Sequence, residues 1–161
     1  MADSTGDILT MEPKEFKALF SDVAEHYGYS RSFGGWFSES PECIFVLDLQ
    51  KSNYGNYFEL NLKIFVHGLF GKHYVTSKDL VKKETGDVFL RAPDTFQDTF
   101  DLDKQINRTE RAQWLRSLFE EFIVPLTIQA LTRSGLLKLG ESGTVLLLPA
   151  VQNELIKATE M

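Results

Sequence analysis

Two long segments constrain this chain more than anything else in it: Cys43 to Lys51 and Asn56 to His67, where apolar residues recur at every second position. Side chains of a strand alternate between faces, so a period of two sustained this long signals a half-buried strand. Ser52-Asn53-Tyr54-Gly55 lies between them as a turn, and the three pieces predict an antiparallel hairpin. Burial argues the register. A four-residue loop pairs Lys51 with Asn56, and then Leu49 faces Phe58, Leu47 faces Leu60 and Phe45 faces Leu62. A slip by one would set Leu49 against Glu59 and Leu47 against Asn61, which burial opposes. That apolar face is expected to lie against helices.

The flanks supply those helices. Glu12-Pro13 is a start signal, because proline in the first turn lacks a donor the helix does not need there. Phe16, Leu19, Phe20, Val23, Ala24 and Tyr27 follow at the spacing of one buried stripe, and Gly28 is the expected stop. Gly34-Gly35 predicts a tight hairpin turn between two short strands. Thr76 or Ser77 would cap a short helix through Lys83, and strands are expected at Asp87 to Ala92 and at Phe96 to Leu102. Asn107 with Glu110 three residues on reads as a capping box that opens a long helix, kinked at Pro125 and ended by Gly135. Leu136 to Leu148 fits either a strand or a helix, and Pro149 starts a terminal helix. A run of strands bracketed by helices predicts an α+β domain: an antiparallel meander with an N-terminal helix and a long C-terminal helix packed on one face. Its second face would stay open to water or to a ligand.

At 161 residues the chain fits a single domain, 1–161, with a flexible tail over 1–10 and a C-terminal extension over 136–161. Thirteen phenylalanines provide apolar bulk for a core. The lone Cys43 can make neither an internal disulfide nor a thiolate cluster, and among Glu42, Ile44 and Phe45 it reads as a small apolar strand residue. Met1 to Thr10 is polar and acidic without a basic or apolar leader segment, and no run reaches the ~20 apolar residues of a membrane span. These features predict a cytoplasmic protein without membrane contact. A net charge of −6 disfavours nucleic acid and favours a basic protein partner.

The stretch from Val46 through Asp48, Gln50, Ser52, Tyr54, Gly55 and Phe58 to Asn61 resembles the bacterial group catalogued as domain of unknown function 4304. In that group a strand ending in Gln-x-Ser precedes one that carries an aromatic and an Asn. Gly28 to Trp36 and Phe100 to Asp103 are similar to its flanking segments, and the likeness spans most of 13–135. It departs from the group at Gly68 to Gly86 and after Gly135. The resemblance implies a bacterial α+β domain and transfers no catalytic residue.

Familiar chemistry motifs do not fit. Gly68-Leu-Phe-Gly71-Lys72-His73 is two residues short of a phosphate loop, and His73 stands where Ser or Thr must reach magnesium. Gly140-Glu141-Ser142-Gly143 lacks the spacing of a nucleophile elbow. His67 and His73, with Glu59, fall short of a convincing metal set and read as a strand end and a loop. Asp94, Asp98, Asp101 and Asp103 read as the solvated side of a strand. No catalytic residue, metal or cofactor is therefore expected. The candidate site is the open sheet face, where Asp48, Gln50, Tyr57, Glu59, Asn61 and Lys63 gather, with Trp36 at its margin. It predicts a non-enzymatic module that holds another protein. Alternatives are a small-molecule or hydrolytic site in the same groove, with Glu59 or Asp48 as base, and self-association across a two-fold axis. Alanine at Gln50 and Asn61 is expected to weaken binding without unfolding the protein.

Overall fold

The computed structural model describes residues 10–160. The tail expected over 1–10 therefore lies, apart from Thr10, outside the described residues. Helix α1 (Pro13–His26) begins with a capping box in which Glu12 and Glu15 satisfy each other's backbone donors, and Gly28 takes a left-handed φ of 95° at its end. Five strands follow: β1 (Ser30–Ser32), β2 (Gly35–Glu39), β3 (Cys43–Lys51), β4 (Phe58–Val66) and β5 (Val88–Arg91). They form one antiparallel meander in the order β1-β2-β3-β4-β5, with the short helix α2 (Lys78–Lys82) between β4 and β5. The C-terminal part is helical: α3 (Arg108–Leu118), α4 (Val124–Ala130), α5 (Arg133–Glu141) and α6 (Pro149–Thr159). The chain is α+β, as its pattern predicts.

The central hairpin is offset from the expected register by two residues. Lys51 pairs with Phe58, Leu49 with Leu60, Leu47 with Leu62 and Phe45 with Ile64, so the loop holds six residues. Because the side-chain period is also two, the same apolar face still meets the helices. Phe16 stacks on Phe58 at 5.4 Å, and Phe20 meets Trp36 edge-on at 4.7 Å. Trp36 is 2% exposed and donates its indole N–H to Ser21 Oγ at 3.1 Å. It therefore belongs to the helix-side core and not to the margin of the opposite face.

Three further expectations are corrected. The first hairpin turns at Phe33-Gly34, with φ of 54° and 81°, while Gly35 already sits in β2. A Cβ there would come within 2.9 Å of both the Leu47 carbonyl oxygen and Val81, so glycine serves close packing as well as the turn. Residues 96–102 are not a strand: Asp94–Phe100 is a 3-10 helix, and a single bridge, Tyr57 to Asp101, returns the chain to the sheet. Phe96 and Phe100 are four apart, which fits one side of a helical turn as well as alternation does; Phe100 reaches Phe16 at 5.6 Å. Around Pro125, where a kink is expected, a wide π turn at Phe119–Ile123 precedes the proline and joins α3 to α4. The long helix ends near Leu131, ahead of Gly135, and Thr132 caps α5 through the Gly135 amide at 3.0 Å. The segment from Leu136 is thus helix up to Glu141.

Tyr29 ties β1 to α4, its hydroxyl lying 2.6 Å from Thr127 Oγ1, and burial pushes its phenol up to about 12. A phenol whose folded pKa exceeds the unfolded value of 10.0 stabilises below that value and loses its contribution as pH rises through the folded one. Stability is therefore expected to fall between about pH 10 and 12, and Tyr29→Phe to flatten that fall. Urea midpoints measured against pH check this.

Candidate functional site

The sheet face turned away from α1 is only partly open, which corrects the expectation of a bare face. Leu80 and Val81 of α2 pack with Phe37, Ile44, Val46 and Phe65, and Tyr74 joins them. This lid covers the apolar part of the face. The polar residues occupy the strip beside it, and the two-residue offset sets Asp48 opposite Asn61 and Gln50 opposite Glu59.

Three of the expected site residues form a buried floor: Asp48 is 6% exposed, Asn61 4% and Lys63 4%. Lys63 lies beneath α2 and donates to the Val81 carbonyl at 2.6 Å, with Asp48 Oδ2 at 3.9 Å. Burial pulls its ammonium below the usual lysine range, and the Asp48 carboxylate offsets part of that. Asn61 is the hub. Its amide donates to Asp48 Oδ2 at 3.3 Å and to Gln50 Oε1 at 3.0 Å, and its carbonyl oxygen accepts from Arg91 Nε at 3.0 Å. Arg91 also bonds Glu59 at 2.8 Å, and Lys82 reaches Asp48 Oδ1 at 3.4 Å. Gln50, Lys82 and Arg91 are exposed and Glu59 is half-exposed. The strip thus presents fixed polar ends above a paired, desolvated floor.

Arg91 and Lys82 were not among the residues expected here. Arg91 is brought in by its pairing with Asn61 across β4 and β5, and Lys82 by α2 folding over the sheet. Neither placement has a local sequence signal. Cys43 faces the core fully buried, and burial with Glu42 nearby pushes its thiol up to about 12, which keeps it protonated and unreactive. His67 and His73 stack at 6.2 Å, and His67 Nδ1 accepts from the Tyr74 amide at 3.3 Å. Among the described residues no group of three His, Cys, Asp or Glu is arranged to hold a metal ion.

The strip runs into a cavity of about 440 Å³ at the edge of β4. Two hydrogen bonds bracket it, Ala92 to the Leu60 carbonyl at 3.3 Å and Leu102 to the Asn56 carbonyl at 2.8 Å. Between them the second chain is longer than the β4 edge it follows, and the excess loops out as the 3-10 helix. Tyr57, Phe58, Glu59 and Leu60 line one wall, Arg91 and Pro93 the top, and Asp94, Phe100 and Asp101 the other wall. Arg111 of α3 holds that outer wall. Its guanidinium is wholly buried and donates to the carbonyls of Asp98, Thr99, Asp101 and Lys104 at 3.4, 2.6, 3.2 and 3.1 Å.

The family model described as "Domain of unknown function (DUF4304)" matches residues 20–129, more than half of the chain, and the protein belongs to that family. No curated protein and no solved structure matches it. The matched region includes the whole sheet, the polar strip and the edge cavity; α5 and α6 lie beyond it.

Proposed function

We propose that this member of the DUF4304 family is a non-enzymatic protein-binding module, of bacterial origin and working in the cytoplasm, that holds its partner on the polar strip and the adjoining edge cavity. The carrying observation is the network centred on Asn61, which fixes Gln50 and Arg91, and through Arg91 also Glu59, before any partner arrives. Groups already held in one geometry lose less entropy on binding, so preorganisation of this kind supports recognition. The buried floor of Asp48, Asn61 and Lys63 costs desolvation that an apolar patch would avoid, in keeping with a specific partner. The cytoplasmic reading is supported by the single buried cysteine and by the lack, among the described residues, of a helix long and apolar enough to cross a membrane.

Asn61 is a poor probe of this surface, contrary to the expectation from sequence, because it is buried and central to the network. Gln50 and Glu59 are the accessible choices. The double variant Gln50→Ala/Glu59→Ala is expected to keep its melting temperature within a few degrees and to retain a co-purifying partner at least ~10-fold less well. Equal retention by both proteins would remove the strip from the interface. The edge cavity favours a second reading, a small-molecule site in the same groove, which thermal-shift screening of metabolites would reveal. Light scattering separates both from self-association.

A further inference from the structure

The charges on the edge cavity are unbalanced in a way that identifies what fits it. Arg91 is the one cation on its lining among the described residues, and it is already held by Glu59 and Asn61. Asp94 and Asp101 also line the cavity, and neither has a Lys, Arg or His within ion-pair distance among the described residues. Arg111 makes no ion pair with Asp101, since it bonds that residue's carbonyl and three others, although the nearby carboxylate favours its charged form. Apart from Gln97, the rest of the lining is aromatic and aliphatic, with Tyr57, Phe58, Leu60, Pro93 and Phe100.

Two carboxylates without an ion-pair partner, beside a largely apolar wall, suit a group with a cationic head and a hydrocarbon stem. An aromatic ring attracts a cation over its face, and the stem of a long basic side chain buries against apolar surface. A volume of about 440 Å³ falls within the ordinary range of ligand pockets and exceeds the size of one such side chain. The chain's net charge of −6 draws a basic partner toward it. We infer that the edge cavity receives the guanidinium or ammonium head of an arginine or lysine side chain from the partner protein, with Asp94 and Asp101 binding the head and Tyr57, Phe58 and Phe100 enclosing the stem. This rests on the binding-module reading and gives that partner its chemistry.

The test is an NMR titration of the full-length 15N-labelled chain with N-acetyl-arginine amide, N-acetyl-lysine amide and, as the uncharged control, N-acetyl-norleucine amide. Saturable shifts confined to residues 57–60 and 91–101 are expected with at least one cationic amide, at least ~10-fold weaker with the norleucine amide. Asp94→Asn/Asp101→Asn is expected to abolish them; Asp94 is exposed and Asp101 half-exposed, so the variant should fold, and its melting temperature checks that. The same variant should lose a co-purified partner. No saturable shift with either cation, or binding undiminished in the variant, would overturn the inference. A partner that needs Gln50 and Glu59 while neither amide binds refutes the inference and leaves the module reading intact. Amide binding without any protein partner refutes the module reading and the partner as source of the cation.

Discussion

Replacing Arg111 by methionine is expected to destabilise the protein by about 3–5 kcal/mol, the usual cost of breaking a buried charged interaction on one side only. A buried arginine is not stabilising in itself: desolvation pulls this guanidinium below its ordinary range, with Asp101 partly offsetting the effect. Exchange of a whole ion pair for apolar residues is often neutral. Here, however, the acceptors are four backbone carbonyls between Asp98 and Lys104, which no substitution removes. Methionine would strip a charge-assisted bond, roughly 1.5–3 kcal/mol each, from all four, although the carbonyls of Asp98, Asp101 and Lys104 keep backbone donors in the Asp101, Lys104 and Ile106 amides. Lysine should rescue little, because a single ammonium cannot reproduce the planar fork that reaches four oxygens. For a chain of this length, thermal denaturation should show a drop of about 10 °C or more. Hydrogen exchange should rise first in residues 94–104, since Arg111 clamps that segment to α3. A melting temperature within two or three degrees of the parent would show that the clamp is dispensable.

Asn61→Leu carries the second-largest expected effect, about 2–4 kcal/mol of lost stability. Leucine approximates the volume but satisfies neither Asp48 nor Gln50, and it leaves the Arg91 Nε without its acceptor. The Asp48 carboxylate would keep Lys82 at 3.4 Å and Lys63 at 3.9 Å as partners, so the loss is bounded. Asp48→Asn is expected to be less costly alone, and a double-mutant cycle between the two should give a coupling of about 0.5–3 kcal/mol. Chemical denaturation of the four proteins measures it. Additive effects would mean that the two side chains do not share a network.

What the sequence made legible followed from periodicity. Alternation in β3 and β4 determined which residues face the helices, and it did so even though the loop was placed two residues too short. Period two makes the face insensitive to that error while changing every cross-strand partner, so Asp48 meets Asn61 instead of Glu59. The stripe in α1 and its glycine stop were equally local signals. Placement depending on contacts distant in sequence was not legible. Leu80 and Val81 belong to a five-residue helix whose own pattern does not say which surface it covers, yet it buries the apolar part of the face read as open. Lys63 looked solvent-facing by residue type and is enclosed because that helix crosses it.

Trp36 and Phe37 are adjacent aromatics on opposite faces, and only pairing with β3 decides which one enters the helix-side core. The segment 94–100 combined alternation with an i, i+4 aromatic pair, and the demand of Phe100 for the core resolved it as a 3-10 turn. The cavity that this excursion creates could not be read from either strand, because it exists only where one chain is longer than the edge it follows.

The central claim is that the polar strip and the edge cavity form the contact surface. Hydrogen–deuterium exchange of the purified chain, alone and with its co-purified partner, tests it most directly. The account predicts protection at Gln50, at 57–61 and at 89–101, with α5 and α6 unchanged. Protection confined to the helical layer, with these segments exchanging as in the free protein, would contradict it.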